Sequence, residues 1–204
     1  MSSLRYLPAT TGTLVKLRER LQLVRRGKEV LEMRRDQLIK EVYNLLSEIR
    51  KREELEKELY QLYERIKEIY ATIGPDNISS YARTISKPKI RVIYESLFGV
   101  RVPRVDFLNV PDFTQISHPA VYQLALELWS LMENLFKIAA KEMAVESLSN
   151  ELAYINRVVN SLEKNVIPQL IEQIHYVEER IREESLSEFV RIKKVRDVIQ
   201  KRRE

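Results

Sequence analysis

Apolar residues recur along the first third of the chain with alternating gaps of three and four. The stripe reads Leu14, Leu17, Leu21, Val24, then Leu31, Leu38, Val42, Leu45 and Ile49. Lys28 and Arg35 fall on the same register and weaken it locally. The rhythm resumes at Leu55, Leu59, Leu62, Ile66, Ile69 and Ile73. A 3-4 repeat sustained over this many heptads predicts a coiled-coil helix rather than a general amphipathic one. Between Ile49 and Leu55 two gaps of three run through Arg52, a stammer that overwinds the supercoil locally. The helix is expected from about Leu14 to Ile73, with Gly74 and Pro75 as its stop signal. At 1.5 Å per residue it would be roughly 90 Å long. Gly27 lies inside it, either as a tolerated surface glycine or as a place where another backbone approaches closely.

Residues 74–119 read differently, with five of the seven prolines and half of the glycines. Lys89-Ile90-Arg91-Val92-Ile93-Tyr94 alternates polar with apolar in its first half. The stretch from Gly99 to Phe107 alternates through its valines. Two short strands, joined as a hairpin, fit these signals, with Pro103 holding its strand at an edge. So small a lobe needs support, which it is expected to take from the helix ends.

The helical rhythm returns at Pro119, a first-turn proline. Its stripe reads Val121, Leu124, Leu128, Leu131, Leu135, Ile138, Val145, Leu148, Leu152, Ile155, Val159, Leu162 and Val166. It continues less strictly through Leu170, Ile174, Val177, Ile181, Phe189, Ile192, Val195 and Ile199. Pro168 interrupts it and should bend the helix rather than end it. The expected fold is therefore dominated by α-helix. It is a long antiparallel two-helix coiled coil with a small central lobe carrying a short β-hairpin. The expected divisions are residues 1–73, 74–119 and 120–204, with the second helix overhanging the first. One seam and little core width predict a rod.

Composition narrows the function. With only four glycines among 204 residues, a turn-rich all-β or many-layered α/β fold is disfavoured. The absence of cysteine excludes disulfides, thiolate metal sites and a cysteine nucleophile. No run approaches the roughly 20 apolar residues needed to cross a bilayer, and the start of the chain lacks the apolar stretch of a secretory signal. A soluble protein able to dock on a membrane complex is expected. The formal net charge is +5 with a pI near 9.3. The basic excess sits near the two ends, and would form a single basic tip if those ends lie side by side.

No Gly-rich phosphate loop is present, so no nucleotide or other cofactor is expected on this chain. His118 and His175 sit in unrelated contexts. The paired carboxylates Glu53-Glu54 and Glu183-Glu184 read as solvated helix faces. No catalytic constellation or metal site follows, and the chain is expected not to be an enzyme. Nucleic acid would require phosphate-facing Lys and Arg, yet Glu19, Glu29, Glu32, Asp36 and Asp197 interleave with them and no aromatic platform accompanies them. A rod end inserted into a protein sleeve fits better. Tyr43, Tyr60, Tyr63 and Tyr70 suit packing along the seam flank or contact with partner subunits.

The stretch Pro8-Ala9-Thr10, then Leu14, Leu17, Leu21, Gly27, Val30-Leu31 and Arg35-Asp36-Gln37-Leu38, resembles the start of the D subunit of archaeal A-type and vacuolar V-type rotary ATPases. The later run, from Arg157-Val158-Val159-Asn160-Ser161-Leu162-Glu163 through Val166-Ile167-Pro168 and Ile174 to Phe189-Val190-Arg191-Ile192-Lys193-Lys194, is similar to that family's second helix. Glu32 and Met33 stand where the family often has lysines, and Ser185-Leu186-Ser187 replaces a more charged stretch. The resemblance implies a non-catalytic central rotor shaft whose terminal helices enter a hexamer of alternating A and B subunits. The lobe would lie near the F subunit and the socket subunit of the membrane ring. It also implies a single copy rather than a homo-oligomer, peripheral on the cytoplasmic side of the membrane. The residues assigned to partner contact on this basis are Arg25, Arg26, Gly27, Arg191, Lys193, Lys194 and Arg196. The alternatives are an unrelated coiled-coil scaffold or tether, and a basic nucleic-acid-binding coiled coil.

Overall fold

A computed structural model describes residues 8–201 of the chain. The elements run α1 (Thr11–Ile49), α2 (Arg52–Ile73), α3 (Pro75–Thr84), β1 (Lys89–Leu97), β2 (Val100–Asn109), α4 (Pro119–Ser161), a π-helical turn (Leu162–Val166) and α5 (Ile167–Lys201). Helix dominates, as the heptads predict, and the two strands pair antiparallel in a two-stranded sheet.

The chain divides into two compact units, residues 36–153 and residues 1–35 with 154–204. In each, an early helix lies antiparallel to a late one. In the terminal unit Arg18 pairs with Glu178 at 2.6 Å and Lys28 with Glu163 at 3.1 Å. In the central unit Glu48 pairs with Lys141, Arg52 with Glu142 at 2.6 Å, and Arg65 with Glu127. In the terminal unit, and from Arg52 to Arg65 in the central one, the second number falls as the first rises, which only an antiparallel pair allows. The seam residues do the burying. Leu17, Leu170 and Val177 form one core, and Leu55, Leu62, Leu131 and Ile138 form another. Leu38, Leu148 and Val177 are 0% exposed.

Several local features differ from the expectation. The first helix begins earlier, because the Thr10 hydroxyl caps it by accepting from the Thr13 N–H at 3.2 Å. It is also not continuous. It breaks at Arg50 and Lys51, inside the stammer, where the Lys51 N–H reaches the Glu48 carbonyl three residues back at 3.4 Å. Overwinding of the repeat is taken up by one tightened, 3₁₀-like turn. Pro168 does leave the second helix running, but through a π turn in which the Ile167 N–H bonds the Leu162 carbonyl. Widening the backbone there accommodates the proline, which cannot donate and would crowd the carbonyl of Lys164.

Gly74 and Pro75 do stop α2, yet a second helix starts at once with Pro75 as its first residue. Gly74 has φ 84° and ψ 152°, a region open essentially to glycine alone. Asn77 turns back to donate its side-chain amide to the Ile73 carbonyl at 2.9 Å, satisfying an acceptor left over at the end of α2.

The hairpin is longer than its sequence signals. Leu97 pairs with Val100 across a two-residue turn in which Phe98 (φ 51°) and Gly99 (φ 83°) both have positive φ, the type I′ pattern. Its support comes from the middle of α4 rather than from the helix ends. Phe107 of β2 sits edge-on to Trp129 at 5.7 Å and to Phe136 at 6.3 Å. Ala140 and Ala144 are buried on that helix, where small side chains let the strand approach. Helix α4 therefore buries two faces, one on the seam and one under the hairpin. Phe113, Ile116 and Val121 close this unit with Ile69, Ile73, Tyr81 and Ile85 packed against them.

Candidate interaction surfaces

The residues assigned to partner contact all lie in the terminal unit, and all are exposed. Arg25, Arg26 and Gly27 occupy the middle of the paired part of α1. Around Gly27 there is open space, with nothing within 4 Å of where a Cβ would stand. Among the described residues no other backbone approaches this glycine closely. Arg25 borders a shallow cleft of about 380 Å³ with Lys28, Glu32, Glu163 and Ile167 beside the π turn. There the hydrogen bond to Glu163 raises the pKa of Lys28.

Arg191, Lys193, Lys194 and Arg196 lie near the end of α5. By the register of Arg18 opposite Glu178, the level of Thr11, where α1 starts, falls near residue 185. Beyond that level no described helix faces α5, and every described side chain of residues 182–197 is exposed. The overhang expected from the helix lengths is thus present in this unit. The apolar stripe that continues along it finds no partner: Phe189 and Ile192 are each 67% exposed and Val195 58%. Expecting the seam to persist to Ile199 was wrong, because a seam needs a facing helix and α1 ends first.

The single basic tip is also corrected. Lys28 opposite Glu163 places Arg25 and Arg26 level with the start of α5. Arg191 is some 25 residues further on, roughly 35 Å along the axis at 1.5 Å per residue. The structure thus separates the assigned residues into a waist patch around Gly27 and a cationic, apolar tip on α5. The waist carries exposed Leu23 (71%) and Val30 (58%) beside its arginines, and the tip sets Phe189, Ile192 and Val195 among its run of cations. Sequence reasoning names those cations but assigns the apolar residues between them to the seam.

The tyrosines do not pack along the seam flank. Tyr43, Tyr60, Tyr63 and Tyr70 are all exposed, and Lys67 lies over the Tyr63 ring at 4.6 Å. His118 is exposed at the start of α4, and His175 stands 3.5 Å from Glu179 on an open face. Among the described residues no group of three or more His, Cys, Asp or Glu converges to hold a metal. No helix among them is long and apolar enough to cross a membrane. A groove of about 820 Å³ runs between β2 and α4 past Trp129.

These features define an antiparallel two-helix coiled-coil protein bearing a small β-hairpin. The family model for the ATP synthase D subunit matches residues 13–197, and the chain belongs to that family. The V-type ATP synthase D subunit of Thermotoga neapolitana is 27% identical over 196 residues, spanning 93% of this chain and 97% of its own. The A-type ATP synthase D subunit of Sulfurisphaera tokodaii is 28% identical over 213 residues, spanning 100% and 97%. That of Pyrococcus furiosus is 26% identical over 205 residues, spanning 95% and 94%.

Proposed function

We propose that this chain is the non-catalytic central-stalk subunit of an A/V-type rotary ATPase or ATP synthase. It transmits torque between a catalytic hexamer of A and B subunits and the ion-translocating ring of the membrane. The observation that carries this reading is the end of α5: a helix that outruns its partner, lined by Phe189, Ile192 and Val195 and flanked by four cations. Exposed apolar area of that kind on a charged helix calls for burial in another protein. A shaft must present different faces to three catalytic interfaces at any instant, and one antiparallel helix pair has no threefold symmetry. Angular position is then communicated through contacts that differ between states.

On this reading Arg191, Lys193, Lys194 and Arg196 meet carboxylates of the A and B subunits, and the waist patch of Arg25, Arg26 and Gly27 faces the same sleeve. The hairpin lobe contacts the F subunit and the socket subunit. One copy serves each complex, held peripherally on the cytoplasmic side of the membrane. Reversing the four α5 charges in a reconstituted complex slows ATP hydrolysis or uncouples it from ion movement; unchanged turnover and coupling reject the assignment. Removing residues 89–107 weakens binding of the F subunit or the socket, and retained affinity places those partners elsewhere.

A further inference from the structure

Within the terminal unit, both helices are weak at the same level. The π turn supplies the first weakness. In a regular α-helix the Ile167 N–H would serve the Glu163 carbonyl, but here it bonds Leu162. The next donor in line belongs to Pro168, which has no N–H. The Glu163 carbonyl is left without a donor from its own helix. Packing does not make up the difference. Val159 and Leu170 are buried, and none of residues 160–169 between them is. On α1 the same holds for residues 18–37, between buried Leu17 and buried Leu38.

The ion pair of Lys28 with Glu163 fixes the level on α1. Gly27 stands there, of the residue type that only proline exceeds in weakening a helix interior. Open space surrounds it, so no neighbour requires the missing Cβ. Lys28 itself puts a charge on the seam register, where an apolar side chain would pack. A cleft lined by Arg25, Lys28, Glu32, Glu163 and Ile167 opens at this point. Beyond it the seam is tight again, with Leu17, Leu170 and Val177 in one core. We propose that residues 160–169, with residues 25–29 facing them, form a flexible joint. This level opens locally at a small fraction of the cost of unfolding the unit, as few buried apolar groups and a water-exposed backbone dictate. The core of Leu17, Leu170 and Val177 then twists as one piece with the tip of α5, re-aiming Phe189, Ile192 and Val195. The Lys28–Glu163 pair is the latch. A π turn is a recurrent device at places where a helix has to adjust.

Hydrogen exchange resolved along the full chain tests the joint. Corrected for intrinsic rates, the amides of residues 163–169 should exchange at least about tenfold faster than those of residues 171–178; equal protection overturns the proposal. Cysteine is absent from the chain, so spin labels can be placed on Ser161→Cys with Gln169→Cys, across the joint. Glu172→Cys with Arg180→Cys gives the same spacing in regular helix. The distance distribution should be broader for the first pair, and equal widths overturn the proposal as well. Deleting Pro168 returns the stripe after Leu162 and Val166 to gaps of three and four and leaves every helical N–H in place. Protection at this level should then rise to that of the flanking helix, and no change counts against the joint. Should the shortened chain fail to fold, Gly27→Ala decides on the α1 side. Protection of residues 25–31 should increase, and an unchanged pattern overturns the paired weakness. All of this is read on the isolated chain, so a stiff joint leaves the shaft reading standing, and failure of the chain to join an ATPase leaves the joint standing.

Discussion

The ammonium of Lys28 donates to Glu163 Oε1 at 3.1 Å, tying a charged residue on the seam register of α1 to the π turn on the facing helix. Lys28 also stands 3.6 Å from Glu32. A lone polar residue on a coiled-coil stripe gives up apolar contact but pins the register. A one-turn slip of the helices would leave this ammonium without Glu163 and the π turn opposite the wrong level. Lys28→Glu should lower the thermal midpoint by setting three carboxylates together. Adding Glu163→Lys should restore most of the loss, because the pair is then remade in reverse. Circular dichroism melts of both variants decide it: equal midpoints for the single and double variants would show that the pair contributes nothing.

The buried seam and its exposed margin at Leu59 should differ sharply in what truncation costs. Leu38 is fully enclosed, so Leu38→Ala removes buried methyl groups and leaves a cavity, costing about 2–5 kcal/mol. Leu59 is 41% exposed in the isolated chain, and Leu59→Ala should cost less than about 1 kcal/mol there. Urea unfolding gives both numbers. Comparable losses would mean that Leu59 is covered in the free protein.

Much of this architecture is written in the spacing of the apolar residues. The stammer at Ile49, Arg52 and Leu55 sits where α1 gives way to α2. A mirror signal marks the later helix, and the heptad reading passes over it. Leu162, Val166, Leu170 and Ile174 follow one another by fours, one residue more than the 3-4 alternation allows, and the π turn absorbs it. Helix α3 is hidden by its length. Ile78, Tyr81 and Ile85 keep helical spacing and are partly buried, but three residues after a glycine and a proline read as a loop. The exposed margin at Leu59 has no sequence signature of its own. Leu59 fills the same heptad role as Leu62, and only the side on which the facing helix lies separates buried from exposed. The same holds for Phe189 and Ile192, whose stripe is intact while the facing helix has ended.

Gly74 offers a test of backbone rather than packing. A Cβ at this position would meet nothing within 4 Å, so any penalty for Gly74→Ala comes from its φ of 84°. A side chain in that region costs on the order of 1–3 kcal/mol. The loss should appear in denaturant melts without a change in their slope, as α2 and α3 keep their contacts. A neutral substitution would show that the α2–α3 junction relaxes freely.

The break between α1 and α2 is bracketed by charge, with Glu48 against Lys141 on one side and Arg52 against Glu142 on the other. The hydrogen bond from Lys141, followed by its charge, holds the Glu48 carboxyl below its ordinary value of 4.5. A depressed carboxyl adds stability above the unfolded pKa, and the contribution fades as pH falls through the folded value. The exposed Asp112 behaves alike, its carboxylate accepting from the Thr114 N–H at 3.0 Å and the Thr114 hydroxyl at 2.7 Å. Urea midpoints measured from about pH 7 to about pH 3 should therefore fall on the acid side. Glu48→Gln should flatten that fall below about 4.5 while lowering the midpoint slightly at neutral pH, since Lys141 loses a charged acceptor. Parallel curves for the two proteins would mean that Glu48 takes up no proton linked to unfolding, and that the break is held by the packing of its neighbours alone.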